Sequence, residues 1–176
     1  MAVILANRST LSVYSHERTV SEISAALGLE PSSSADVGDP TRAAVAGRAL
    51  APEYMIHQRA QWSFDVGAST LDVRDDQGVA SLRALVDVFR QRANALQSLR
   101  PECETVIWWS GSSDSTQGTF VIPPDLLADL ALLGCEFRGT AYLNDELHIE
   151  RGPVPAERAW TKRLSIQGGS DGSHPS

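Results

Sequence analysis

Pro123-Pro-Asp-Leu-Leu-Ala-Asp-Leu-Ala-Leu-Leu133-Gly134-Cys-Glu-Phe-Arg-Gly-Thr-Ala-Tyr142 passes from one periodicity to another at a single glycine. Leu126, Leu127, Leu130 and Leu133 make a stripe at helical spacing. Pro124 suits a first helical position, and Asp125 suits the positive end of the helix dipole. Gly134 supplies the left-handed stop, and Glu136–Leu143 reads as a strand. An earlier stretch makes the same move. Thr19 and Glu22 form a capping box, Ile23, Ala26 and Leu27 share a face, and Gly28 closes the helix before Leu29-Glu-Pro31. A chain that twice turns from a helix stop towards a strand reads as α+β.

Working outward from these anchors, Leu11-Ser-Val-Tyr-Ser-His16 and Gln61-Trp-Ser-Phe-Asp-Val66 alternate apolar and polar residues and read as strands. Val79–Leu99 reads as one long helix, with Val79, Leu82, Leu85, Val86, Phe89, Ala93, Leu96 and Leu99 on its apolar stripe and Pro101 beyond its end. Thr105-Val-Ile-Trp-Trp109 is apolar on both faces, as a central strand would be. Thr119–Ile122 reads as its hairpin partner across a polar loop. Glu146–Glu150 reads as further strand. The expected fold is a mixed, mainly antiparallel sheet of about five strands with three helices packed on it. Ferredoxin-like, split βαβ packing is its nearest template.

One domain over residues 10–150 is expected. It follows an N-terminal segment 1–9 and precedes a C-terminal extension 151–166 and a disordered tail 167–176. Residues 31–59 form a long, loosely patterned connection in which Thr41–Leu50 could hold a short helix.

Taken in order, these landmarks resemble the domain of unknown function 4279 family. They are the strand Leu11–His16, then Ile23-Ser-Ala-Ala-Leu-Gly-Leu-Glu-Pro31 and Gly38-Asp39. Gln61-Trp62-Ser63, the long helix, Gly118, Ile122, Pro124-Asp-Leu-Leu-Ala128, and Leu133-Gly134 through Tyr142 follow. The likeness spans about residues 10–143. Trp108-Trp109 is bulkier than the pattern, and the chain past Asn144 lies outside it. The resemblance implies a small bacterial or phage-type α+β domain and no particular reaction.

Bulk properties narrow the function. The chain has 176 residues, 42% hydrophobic and 21% charged, with a net charge of -7. An acidic chain is a poor general partner for nucleic acid or anionic membrane, which demand positive charge facing phosphate. No run reaches the ~20 apolar residues of a membrane span. The opening Met1–Arg8 is too brief for a secretory leader, so a cytoplasmic location is expected.

Catalytic patterns fail one by one. His16, His57, His148 and His174 never stand three or four apart, so no helical metal pair exists. The loop from Asp72 has Arg83 where a calcium loop needs Glu, and Asp75 and Asp76 read as helix-start charges. The loop between Gly111 and Gly118 lacks the lysine of a phosphate cradle. Cys103 and Cys135 match no zinc or redox spacing, and Glu102 and Glu104 beside Cys103 disfavour a thiolate. No catalytic, metal or cofactor site is expected.

The aromatic residues are the candidate contacts. Tyr14, Trp62, Trp108, Trp109 and Tyr142 all fall on expected strands, and alternation forces Trp108 and Trp109 onto opposite faces. If helices cover one face, an aromatic face is left for a partner, unless residues 31–59 and 144–165 fold over it. The leading expectation is a non-enzymatic domain holding a protein partner or another copy of itself, with an immunity-type or phage-associated accessory role as one route. A second is a small-molecule site or weak hydrolase around His16, His57 and Asp65, which requires those residues to converge. A third is a structural component of a larger assembly.

Overall fold

The chain enters the sheet at Ile4, well before its alternating pattern begins. A computed structural model describes residues 4–67, 75, 77–113 and 120–143. Strand β1 runs Ile4–Ser15, so the expected separate segment 1–9 is largely strand. Its first half escapes a periodicity reading for two reasons. A register irregularity falls between Ile4 and Ala6, and the inward positions Asn7 and Ser9 are polar. Both are satisfied inside. The Asn7 amide donates to Asp75 (2.6 Å) and its carbonyl accepts from the Ser81 N–H (3.0 Å). The Ser9 and Ser81 hydroxyls lie 2.9 Å apart. Polar groups so paired lose little on burial.

Helix α1, Val20–Leu27, starts with the anticipated capping box: Glu22 N–H donates to the Thr19 hydroxyl at 3.3 Å, and Thr19 N–H to the Glu22 carboxylate at 2.8 Å. Gly28 ends it at φ 59°. The stretch 31–59 holds a three-residue edge strand, β2 (Ser33–Ala35), a one-turn helix, α2 (Arg42–Val45), and a 3-10 turn at Pro52–Tyr54. Strand β3 is Ala60–Gly67.

The expected single long helix is two, α3 (Ala80–Arg90) and α4 (Ala93–Leu99). No glycine or proline marks the break. Arg92 sits there, with its guanidinium donating to the Leu27 carbonyl (3.0 Å) and the Val88 carbonyl (2.7 Å). One side chain thus closes the ends of α1 and α3 together. The apolar stripe still runs through both pieces and is buried from Val79 to Leu99.

Strand β4 is Cys103–Ser113. Among the described residues, no hairpin partner follows it. Phe120–Ile122 is not strand, and Thr119 lies outside the described residues. Phe120 instead lays its ring against Trp109, centroids 4.4 Å apart, and Phe120 and Ile122 pack on the core. Their alternation serves packing rather than a ladder. Helix α5 (Pro124–Leu133), its stop at Gly134 (φ 68°) and strand β5 (Glu136–Leu143) match expectation.

The sheet order is β2-β3-β1-β4-β5. Strand β1 runs antiparallel to both β3 and β4, and β4 is parallel to β5. β3 and β4 therefore run the same way with β1 between them, joined through α3 and α4. That is the expected split βαβ unit, followed by a second parallel unit through α5. The core lies on one side of the sheet, where Leu11, Val13, Trp62, Ile107 and Trp109 meet Ile23, Leu82, Phe89, Leu96 and Leu126. The expected strand at 146–150, the extension and the tail lie outside the described residues.

Candidate functional site

Strand alternation sends every second residue to the face away from the helices. Register places Ser12, Thr10 and Arg8 of β1 beside Ser63, Asp65 and Gly67 of β3, and beside Val106, Trp108 and Ser110 of β4. Arg138 and Tyr142 of β5 stand beside Trp108 and Ser112. Helices α1, α3, α4 and α5 pack on the other face. Part of the 31–59 stretch, Thr41 with α2 and Tyr54 of the 3-10 turn, borders this face at its Tyr14 and Gln61 end, and Ser12, Ser63 and Val106 at its middle are buried.

The five candidate aromatic residues divide between the two faces. Trp62 is 0% exposed and Trp109 2%. The Trp62 indole N–H donates to the Ser24 hydroxyl (3.0 Å), and its ring meets Phe89 edge-on at 6.2 Å. The Trp109 indole N–H donates to the Gly78 carbonyl (3.0 Å). These two are core residues, which corrects their place in the candidate contact set. Trp62 shares its strand face with Phe64 and Val66, and that apolar run is the sequence signal of its burial. Trp108 is 38% exposed, Tyr142 60%, and Tyr14 half-buried, all on the open face.

Ionic residues that the aromatic reading passed over organise this face. The Arg59 guanidinium sits over the Tyr14 ring at 3.9 Å and pairs with Glu104 at 2.6 Å. The Arg138 guanidinium sits over the Trp108 ring at 4.9 Å and reaches the same Glu104 at 3.7 Å. Glu104 thus stands between two arginines that each shelter an aromatic ring. Arg138 also grips Glu136 (2.7 and 3.1 Å), and that hydrogen bond holds the Glu136 carboxyl below its usual range. Further along, Asp65 accepts from Arg8 (2.6 Å) and from the Thr10 hydroxyl (2.5 Å), and the Ser12 and Ser63 hydroxyls lie 3.0 Å apart. The signal for these residues was the same alternation that marked the core, taken on its polar half.

Concavities interrupt the face. One of about 480 Å³ is lined by Ala6, Arg8, Asp65, Ser110, Ser112 and Tyr142 among others. Another of about 590 Å³ lies beside Tyr14, His16, Tyr54, His57 and Arg59. His16 and His57 do share that second hollow. Asp65 does not join them. It pairs with Thr10, six residues along from His16, roughly 20 Å at strand rise. The convergence on which the weak-hydrolase reading depended is therefore absent.

Burial pushes both the Cys103 and the Cys135 thiols up, away from thiolate. Among the described residues, no group of three or more His, Cys, Asp or Glu could hold a metal ion. Asp75 caps α3, accepting from Val79 N–H (3.0 Å) and Ala80 N–H (2.7 Å), as its place before the helix suggests. Among the described residues, no helix is long and apolar enough to cross a membrane.

A family model described as Domain of unknown function (DUF4279) matches residues 6–144. The chain belongs to the DUF4279 family. No curated protein and no solved structure matches it. The DUF4279 span opens inside β1 and closes one residue past β5, so it takes in all five strands and both faces of the sheet.

Proposed function

We propose that this DUF4279 domain is a non-enzymatic binding domain that holds a protein partner on the open face of its sheet. The supporting observation is the exposure of Trp108 and Tyr142 on the sheet face opposite α1, α3, α4 and α5. Large aromatic side chains set among arginines are the composition of protein-binding hot spots. The buried Cys103 thiol, the half-buried Cys135 thiol and the separation of His16 from Asp65 favour binding over catalysis. An intracellular accessory role, of immunity or phage-associated type, is one setting in which such a domain would act.

Affinity capture from native lysate tests this with the double variant Trp108→Ala/Tyr142→Ala. Leu132→Ala, an exposed change on α5, serves as control. The reading expects one partner recovered by the wild type and by Leu132→Ala, and lost from the double variant. Equal recovery by all three proteins overturns it.

The 480 Å³ hollow supports a second reading, as a small-molecule site with Arg8, Ser110 and Ser112 as polar contacts and Tyr142 as a wall. It moves the expected pocket from the histidines to the other end of the sheet.

A further inference from the structure

The two edges of the sheet are finished differently. At one edge, β2 is only three residues long. The chain beyond it doubles back, with Gly38 N–H donating to the His57 carbonyl (2.9 Å) and His57 N–H to the Asp39 carbonyl (2.8 Å). A short edge closed in this way offers little ladder to another chain. At the other edge, β5 is eight residues long. All of it is exposed except Phe137 and Leu143, which are half-buried. It holds no proline, lysine or bulge, and among the described residues nothing pairs along its outer side. An outer row of N–H and C=O groups of that length is a template for strand pairing.

We infer that β5 is a homodimer edge, pairing antiparallel with β5 of a second copy about a two-fold axis to form one ten-stranded sheet. The residues themselves select the occupant and the register. A two-fold normal to the sheet must set each residue opposite one that faces the same side. Centring the pair on Arg138 opposes two guanidiniums, which repel. Centring it on Phe137 or Ala141 leaves only a short ladder, and centring it on Gly139 sets Glu136 against Tyr142. Centring on Thr140 uses all of 137–143 and matches both faces. On the open face, Arg138 of each copy opposes Tyr142 of the other, with Thr140 against Thr140 at the axis. On the helix side, Phe137 opposes Leu143 and Gly139 opposes Ala141. Cation–π, threonine and apolar cross-strand pairs are each favourable, and no like charges meet.

The pairing would also extend the open face. Arg138 already stacks on Trp108 of its own chain. With Tyr142 of the second copy on its other side, it would link the aromatic residues of both copies across the axis. This inference does not depend on what binds the open face.

Sedimentation of the full chain from low to high micromolar concentration tests it, alongside Thr140→Arg, Thr140→Asp and their equimolar mixture. Thr140 is exposed, so both variants keep the fold, and circular dichroism checks this. The wild type is expected to reach twice the chain mass. Each variant alone, with like charges at the axis, should associate at least ~10-fold more weakly. The mixture should recover the dimer through its opposite charges. A wild type that stays at one chain mass throughout, as it would if the chain beyond Leu143 occupied the edge, overturns the inference. So does a dimer that Thr140→Arg leaves intact.

Discussion

The two faces of one sheet are made of alternate residues of the same strands, and they solve opposite problems. On the helix side, Trp62 and Trp109 are sealed among Phe64, Phe89 and Phe120, and each indole N–H has an oxygen. Every buried side-chain nitrogen and oxygen among the described residues has a partner. On the open side, the Tyr14 and Trp108 rings lie beneath the Arg59 and Arg138 guanidiniums and stay partly exposed. The pair Trp108-Trp109 states the contrast in adjacent residues: Trp109 is sealed in the core, and Trp108 is partly exposed beneath Arg138.

The sharpest break of this comparison is substitution within that pair. Trp109→Ala removes a fully buried ring and strands the Gly78 carbonyl, and should cost about 3–5 kcal/mol. Chemical denaturation should find it barely folded at 25 °C. Trp108→Ala should cost about 1–2 kcal/mol by the same measurement, since a partly exposed ring loses a cation–π pair and part of its burial but leaves no sealed cavity. Comparable losses from the two would erase the distinction between the faces.

A milder probe loosens the cover on the helix side. Thr19→Ala deletes the capping box of α1, whose Ile23 and Leu27 pack on the sheet. A loss of about 1 kcal/mol is expected, with hydrogen exchange quickening first in the opening turn of α1.

Acid should act on both faces weakly. Asp125 is held below the usual carboxylate range by Arg83, Glu102 by Arg18, and Glu136 by Arg138. Groups so depressed bind fewer protons folded than unfolded. Their stabilisation is present at neutral pH and lost as pH falls below about 4. All three pairs are exposed, so the drop in melting temperature on acidification should be small and should shrink further in high salt.

The fold was legible where a local rule decides it. Thr19 with Glu22, Gly28, Pro124 and Gly134 fix helix ends through their own backbone chemistry, and β5 declares itself by following a helix stop. Reading failed where distant contacts decide. Ile4–Thr10 became strand because Asn7 and Ser9 find partners in Asp75 and Ser81, far along the chain. The break between α3 and α4 depends on Arg92 reaching the end of α1. Phe120–Ile122 has a strand pattern but is held by Trp109. The candidate face was half legible for the same reason. Alternation separates Trp108 from Trp109, but the side on which the helices land is a tertiary fact. The arginines that shelter Tyr14 and Trp108 arrive from neighbouring strands.

Accessibility of the aromatic side chains in the intact protein tests the two-face account most directly. Hydroxyl-radical labelling of the full chain, read residue by residue, should modify Trp108 and Tyr142 strongly while leaving Trp62 and Trp109 protected. Protection of Trp108 and Tyr142 in the isolated, monomeric chain would mean that the chain itself covers that face, and would contradict a binding surface there.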